Sequence, residues 1–187
     1  MENTIKKILS DSASLKSKLA SDSDFVARVG KAAAKVIATK KAGGTIYSCG
    51  NGGSTCDAMH LTEELVARYK RERAGIRAMH LMDPSVMTCW SNDYEYEGVF
   101  ERQVRTFCGK NDLFIGISTS GNSKNILRAF AAAKELGTYT IGLTGKTGGA
   151  FPKSCDLSLI VSSNETERIQ EVHITLIHIF CELLETT

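Results

Sequence analysis

Hydroxyl and amide side chains crowd the segment from Ser118 to Ser123, directly after the apolar run Leu113 to Ile117. A helical pattern follows, and backbone N–H groups at the start of a helix lack partners within that helix. No lysine stands in the spacing of a nucleotide-binding P-loop. The segment therefore predicts a site for the phosphate group of a small molecule, although an ordinary helix cap and turn would also explain it. The predicted phosphate ligands are Ser118, Thr119, Ser120 and Ser123.

A second polar loop, Gly50-Asn51-Gly52-Gly53-Ser54, follows another short apolar segment. Three glycines in four residues permit backbone conformations and close approaches that a Cβ atom would prevent. The loop is a candidate cradle for an anion or a sugar. Glycine-rich turns between a strand and a helix also occur for packing reasons alone.

The helix predicted after this loop places His60 and Glu64 on one face, because residues four apart are neighbours on a helix. The C-terminal helix offers Gln170, His173 and His178 as further ligands. Gln170 and His178 lie about 80° apart around that helix and could reach one ion. Imidazole nitrogens with carboxylate and amide oxygens suit zinc or a similar divalent ion. The alternative is a surface contact between His60 and Glu64.

These residue types could also transfer protons beside a sugar carbonyl. Interconversion of an aldose and a ketose moves one proton between adjacent carbons through an enediol and another between two oxygens. Glu64 and His178 are candidates for these two roles.

The pattern of elements predicts an α/β protein with a parallel, doubly wound, five-stranded sheet between two layers of helices. The predicted strands are 45–49, 76–82, 112–117, 138–144 and 157–161. Both polar loops follow strands, so both should lie at the carboxyl edge of the sheet. The predicted helices are 3–20, 24–41, 54 to about 71, a short helix through Trp90, 96–108, 123–136 and 165–185, with a polar break at 91–93.

Two regions indicate an oligomer. Residues 1–42 form a helical pair ahead of any strand, and its apolar faces need more cover than a small core supplies. The last helix is apolar on two faces, which predicts burial on two sides and packing between subunits.

Composition restricts the class of protein. A length of 187 residues predicts a single domain over 1–187, and a net charge of +2 gives no indication of nucleic acid or an anionic membrane as partner. The absence of a signal-peptide pattern and of a long apolar run predicts a cytoplasmic protein without a membrane partner. Six cysteines without a C-x-x-C pair are expected to be reduced thiols in or near the core.

Eight stretches taken together resemble the phosphoheptose isomerases, which belong to the sugar-isomerase (SIS) family, and the resemblance covers nearly the whole chain. They are Cys49 to Ser54, Asp57 to His60, Glu63 to Leu65, Arg68-Tyr69, Asn92-Asp93, Gly116 to Ser123, Gly142 to Gly145, and Arg168 to His173. The resemblance implies a flavodoxin-like SIS fold with two extra N-terminal helices. It also implies a homotetramer that converts sedoheptulose 7-phosphate to D-glycero-D-manno-heptose 7-phosphate, the first step toward nucleotide-activated heptose for bacterial surface polysaccharide.

The same resemblance implies roles for individual residues. Glu64 would be the base at carbon and His178 the acid and base at oxygen, while Arg68 would reach a neighbouring subunit's site. One zinc ion per subunit would be held by His60, Glu64, Gln170 and His178. The sugar would contact Asn51, Gly52, Gly53, Asn92, Asp93 and Gln170, and the phosphate would contact Ser118, Thr119, Ser120 and Ser123. His173 and His80 would then be structural.

A non-catalytic function is the alternative. Some SIS-domain proteins bind phosphosugars as regulators, and a tetrameric relative binds the bacterial replication initiator. The presence of Glu64 and His178 favours the enzyme.

Overall fold

Five parallel strands form the centre of the molecule. The computed structural model describes residues 1–186. The strands are β1 (Ile46–Gly50), β2 (Ala78–His80), β3 (Leu113–Ser118), β4 (Tyr139–Gly145) and β5 (Leu157–Val161), in the order β2-β1-β3-β4-β5. Every neighbouring pair is parallel. This confirms the predicted sheet and the flavodoxin-like strand order.

Helices cover both faces of the sheet. They are α1 (Glu2–Ser21), α2 (Ser23–Lys41), α3 (Gly53–Val66), α4 (Pro84–Asp93), α5 (Val99–Phe107), α6 (Lys124–Glu135), α7 (Phe151–Ser154) and α8 (Thr166–Glu185), with a 3₁₀ turn at Tyr96–Gly98. One apolar cluster joins α2, α3 and α8 to the sheet, and a second joins α5, α6 and α7 to the opposite face. Strands β1, β3, β4 and β5 are buried from both sides, which explains their largely apolar sequence, whereas the edge strand β2 is partly exposed.

The two N-terminal helices differ in burial. In α2, Val29, Ala32, Ala33 and Val36 are buried, and the Asp22 side chain caps the helix by accepting from the Phe25 N–H at 3.0 Å. In α1 only Leu19 is buried, while Ile5, Ile8 and Leu9 are exposed. The first helix therefore presents an apolar surface that this single chain leaves uncovered.

Helix α3 ends at Val66, so the prediction that it runs to about Arg71 was wrong. The chain turns back instead, and the Arg73 guanidinium donates to the carbonyl oxygens of Glu64 at 2.6 Å and Leu65 at 2.9 Å. The Ile76 N–H also donates to the Leu65 carbonyl at 2.9 Å. These donors satisfy carbonyls at the end of the helix, where intrahelical partners run out.

Four smaller sequence predictions also differ from the structure. Residues 91–93 are not a break but the last turn of α4, in which the Ser91 hydroxyl donates to the Met87 carbonyl at 2.7 Å. The second strand is shorter than 76–82, and the predicted helix 96–108 begins as the 3₁₀ turn. Cys56 and Cys89 are exposed, whereas Cys49, Cys155 and Cys181 are buried and Cys108 is half-buried. Between Met1 and Thr186 the chain has no helix with the length and apolar character needed to span a bilayer.

A buried histidine is predicted to make the stability of the fold depend on pH. His173 is fully buried, its Nε2 lies 3.2 Å from the Thr144 carbonyl oxygen, and burial lowers its pKa to about 4. In the unfolded chain the pKa is about 6.5, so between these values the unfolded state binds more protons. The histidine therefore stabilises the fold fully above pH 6.5, and this contribution is lost as the pH falls toward 4.

We expect this group to lower the free energy of unfolding by up to about 3 kcal/mol between pH 7 and pH 4. Urea unfolding at several pH values would measure it for the wild type and for His173→Gln, which cannot be protonated. The wild type should lose more stability than the variant over this range. Equal pH slopes for the two proteins would contradict the prediction.

Candidate active site

Two polar loops meet at the carboxyl edge of the sheet. One joins β1 to α3 at Asn51 and Gly52, and the other joins β3 to α6 at 119–123. Strands β1 and β3 are neighbours, and the chain continues in opposite directions across the sheet from this point. Ligands bind at such topological switch points in open α/β sheets. The structure thus brings the two predicted loops together.

The second loop forms a cluster of hydroxyl groups. The Ser118 Oγ lies 2.9 Å from the Ser123 Oγ and 3.3 Å from the Ser120 Oγ, and it accepts from the Gly121 N–H at 3.2 Å. Ser123 is the N-cap residue of α6, yet its hydroxyl makes no capping bond to the helix. A 12-residue helix therefore starts beside several hydroxyl groups, an arrangement that favours an anion.

Glycine shapes this loop. Gly121 has φ +65°, and a Cβ atom there would lie 2.0 Å from the Gly148 carbonyl oxygen. Any other residue would meet both a rare backbone conformation and a backbone clash.

A cleft of about 270 Å³ connects the two loops with α8. Gln170 lines this cleft and also the adjoining cleft of about 400 Å³ that contains His60. A Cβ atom on Gly53 would lie only 2.4 Å from the Gln170 Nε2, so glycine is needed where α3 and α8 approach. The lining of the first cleft is Asn51, Gly53, Ser54, Ile117, Ser118, Thr119, Ser120, Ser123, Thr166 and Gln170.

Beside these clefts, His60, Glu64 and His178 converge. The His60 Nε2 lies 3.1 Å from the Glu64 Oε1 and 3.4 Å from the His178 Nε2, and the His178 Nε2 lies 3.9 Å from the same Glu64 oxygen. The three ligand atoms all lie within 4.8 Å of one another. The Tyr69 ring stacks on His178 with centroids 5.9 Å apart. His60 and Glu64 lie one turn apart on α3, and the packing of α8 against α3 brings His178 beside them.

The donor set fits a divalent ion such as zinc. Two imidazole nitrogens and one carboxylate oxygen are ligand types that zinc accepts, and four-coordinate zinc leaves one position for a further ligand. Gln170 lines the cleft that also contains His60, on the side toward the hydroxyl cluster. Asp57, one turn before His60, is buried, and its Oδ2 has no hydrogen-bond partner within residues 1–186. Burial raises the pKa of Asp57 to about 6.

Other candidate residues lie apart from these clefts. Arg68 is exposed in the segment after α3. Asn92 and Asp93 are exposed at the end of α4, where the Asn92 Nδ2 donates to the Asp93 Oδ1 at 2.9 Å. His173 faces the core, and His80, on β2, lies outside the group of three.

Two further residues reach the glycine-rich loop without having been predicted from the sequence. The Asn125 side chain, in the first turn of α6, pairs with that of Asn51, and the Tyr96 hydroxyl donates to the Asn51 Oδ1 at 2.7 Å. A polar residue among the apolar positions of α6 could have indicated Asn125. No local pattern points to Tyr96, because its contact joins segments 45 residues apart.

Comparison with known proteins identifies the family. The SIS domain family matches residues 12–145. The chain is 46% identical over 186 residues to a phosphoheptose isomerase of Vibrio cholerae, covering 98% of this chain and 97% of that protein. It is 49% identical over 157 residues to a phosphoheptose isomerase of Helicobacter hepaticus, covering 83% of this chain and 80% of that protein.

Solved structures agree with the sequence relatives. The fold matches a phosphoheptose isomerase from Neisseria gonorrhoeae with a TM-score of 0.93 at 34% identity, covering 100% of this chain and 99% of that one. A phosphoheptose isomerase from Francisella tularensis matches with a TM-score of 0.94 at 30% identity, covering 99% and 98%. The chain therefore belongs to the phosphoheptose isomerase family of SIS-domain proteins.

Proposed function

We propose that this protein is an aldose–ketose isomerase that converts sedoheptulose 7-phosphate to D-glycero-D-manno-heptose 7-phosphate. The observation that carries the proposal is the juxtaposition of two kinds of site at one edge of the sheet. A hydroxyl cluster suited to phosphate lies in one cleft, and a carboxylate with two imidazoles lies beside the next, with Gln170 lining both. The names of the relatives supply the sugar.

The isomerisation requires two groups that transfer protons, one at carbon and one at oxygen. The Glu64 carboxylate takes a proton from C1 of the ketose and returns it to C2, while His178 moves a proton between the oxygens on C1 and C2. The intermediate is an enediol, and no external oxidant or reductant is required. Glu64 is mostly buried and His178 is partly exposed, and their polar atoms are close enough to face the same two carbons.

Binding residues complete the proposed site. Asn51, Gly52, Gly53 and Gln170 would contact the sugar from the loop after β1 and from α8. Asn92 and Asp93 would contribute only if α4 approaches the bound sugar. Ser118, Thr119, Ser120 and Ser123 would hold the phosphate with the first turn of α6.

We propose one zinc ion per subunit, held by His60, Glu64, Gln170 and His178. When bound, such an ion would polarise the sugar oxygens that exchange a proton. The convergence of three ligand atoms, from His60, Glu64 and His178, within 4.8 Å of one another supports this assignment.

We also propose that the protein is a homotetramer in which the helical pair at 1–42 packs against other subunits. The exposed Ile5, Ile8 and Leu9 of α1 support such packing. A groove between α1, α2 and α8 is lined mainly by apolar residues, including Phe25, Val26 and Ile179. Arg68 is exposed and makes no side-chain hydrogen bond within residues 1–186, so it is available to a neighbouring subunit's site. The cytoplasmic location and the place in heptose supply for surface polysaccharide stay predictions.

The phosphate site gives a prediction of its own. Replacing Ser123 by alanine removes a hydroxyl that makes no capping bond to α6. Because a hydrogen bond to a charged group is worth about 1.5–3 kcal/mol, we expect the KM for sedoheptulose 7-phosphate to rise about 10- to 100-fold with little change in kcat. Steady-state kinetics would measure both. Ser21→Ala is the matched control, since Ser21 lies at the exposed end of α1.

A Ser123→Ala variant with the wild-type KM would argue against phosphate binding by this hydroxyl.

The proposed reaction is tested by incubating metal-replete protein with sedoheptulose 7-phosphate and following the sugar signals by NMR. We expect the aldose 7-phosphate to appear at a rate proportional to protein concentration. Binding of the phosphosugar without turnover would reject the isomerase and support a regulatory role.

A further inference from the structure

A pair of amides joins the two loops of the proposed active site. The Asn51 Nδ2 donates to the Asn125 Oδ1 at 3.0 Å, and the Asn125 Nδ2 donates to the Asn51 Oδ1 at 2.9 Å. Asn125 is almost fully buried in the first turn of α6, whereas Asn51 follows β1 and lines the cleft. The two hydrogen bonds therefore fix the position of a cleft residue from a buried one.

The direction of these hydrogen bonds is set by the backbone. The Ile126 N–H donates to the Asn125 Oδ1 at 3.0 Å, and a backbone N–H cannot accept. The atom of Asn125 at that position must be the oxygen, so its NH₂ group faces the other side. The Asn51 atom opposite that NH₂ group must then be an oxygen. The orientation of both amides follows from one backbone donor.

Tyr96 completes the arrangement from a third segment. Its hydroxyl donates to the Asn51 Oδ1 at 2.7 Å. That oxygen now accepts from Tyr96 and Asn125, which matches its two lone pairs. The remaining group on the Asn51 side chain is the second N–H of Nδ2, which has no partner among residues 1–186. Toward a ligand, the Asn51 side chain can thus act only as a hydrogen-bond donor.

The turn that carries Tyr96 is tied to the same helix that carries Asn125. Glu95 pairs with Arg128 of α6, and the Glu97 Oε1 lies 2.9 Å from the Lys124 Nζ at the start of α6. Tyr96 lies between these two ion pairs in sequence. Two exposed ion pairs to α6 therefore flank Tyr96, whose hydroxyl reaches the loop.

We propose that Tyr96 and Asn125 are positioning residues that hold Asn51 as a donor to an acceptor oxygen, hydroxyl or carbonyl, of the sugar portion of a sugar phosphate. This inference rests on the proposed function for the class of ligand. It assigns no proton transfer to either residue. They act on the reaction through the orientation of Asn51.

Tyr96→Phe tests the proposal, because it removes the hydroxyl and keeps the ring. Loss of one hydrogen bond predicts a fall of about 3- to 10-fold in kcat/KM for sedoheptulose 7-phosphate. Tyr94→Phe is the matched control, since Tyr94 is exposed, stacks on Trp90, and its hydroxyl has no hydrogen bond within the described chain. Asn125→Asp should lower kcat/KM further than Tyr96→Phe, because the second carboxylate oxygen would face the Asn51 Oδ1 and repel it.

A second measurement separates positioning from general damage. Inorganic phosphate should occupy the hydroxyl cluster alone, so its dissociation constant in Tyr96→Phe should stay within about twofold of the wild type while kcat/KM for the sugar phosphate falls. Equal kcat/KM in Tyr96→Phe and Tyr94→Phe would overturn the proposal. An equal loss of phosphate binding and of kcat/KM would also overturn it, since it would show a distorted loop.

A third readout does not depend on turnover. In ¹⁵N NMR spectra the side-chain amide signals of Asn51, identified by their loss in Asn51→Ser, should shift in Tyr96→Phe and remain in place in Tyr94→Phe. If the wild type fails to isomerise sedoheptulose 7-phosphate, the proposed function is rejected. The Asn51 signals would still test whether Tyr96 positions the Asn51 side chain. Unshifted Asn51 signals in Tyr96→Phe would overturn the inference.

Discussion

Replacing Glu64 by glutamine is expected to lower kcat for sedoheptulose 7-phosphate by about 10²- to 10⁴-fold, the range for loss of a positioned general acid or base. The change keeps the size of the side chain and one oxygen close to His60, but it removes the carboxylate that we propose as the acceptor of the proton from carbon. The Glu64 Oε1 lies 3.1 Å from the His60 Nε2, so the glutamine oxygen can retain that contact. Steady-state kinetics of the purified variant would measure the loss.

The neighbouring Glu63 provides the matched control. It is exposed on the same helix, so Glu63→Gln makes the same chemical change outside the group of three. Its kcat should stay close to that of the wild type. Metal content and inorganic phosphate affinity should be measured for both variants, because a loss of either would give another cause for low activity. A Glu64→Gln variant with normal kcat would show that another group is the base.

Removing the divalent ion is the second change with a large expected effect. Dialysis against a chelator should lower turnover at least about 100-fold, and added zinc should restore it, because a bound ion would stabilise charge that develops on the sugar oxygens. His60→Gln should weaken metal binding, since it replaces one of three convergent ligands. Activity and metal content, measured on the same samples, would test both expectations.

His80→Gln makes the same change at a histidine outside the group of three and should leave metal content unchanged. Full activity in protein shown to contain no divalent metal would exclude the proposed role of the ion.

Sequence patterns were sufficient to predict the parallel sheet and the positions of both polar loops. Short β-branched segments followed by helical periodicity specify parallel strands, and such strands place their following loops at one edge. The spacing of His60 and Glu64 on α3 and the position of His178 on α8 also follow from helix geometry. Their convergence required α3 and α8 to pack side by side, which the resemblance implied and the structure confirms.

What the sequence did not reveal depends on contacts between distant segments. At the end of α3, Arg73 folds back and donates to the carbonyls of Glu64 and Leu65. Tyr96 reaches Asn51 from a turn that ion pairs join to α6. Neither contact produces a local periodicity. The roles of Arg68, Asn92 and Asp93 stay predictions, because these residues are exposed and lie apart from the clefts.

Carbon–hydrogen exchange in deuterium oxide tests the central claim most directly. The wild type and Glu64→Gln would each be incubated with sedoheptulose 7-phosphate, and deuterium at C1 of the ketose and C2 of the aldose would be followed by NMR. The wild type should incorporate deuterium at carbon as the enediol exchanges its proton through Glu64, and the variant should incorporate it at least about 100-fold more slowly. Incorporation at the wild-type rate in Glu64→Gln would contradict the assignment of Glu64 as the base.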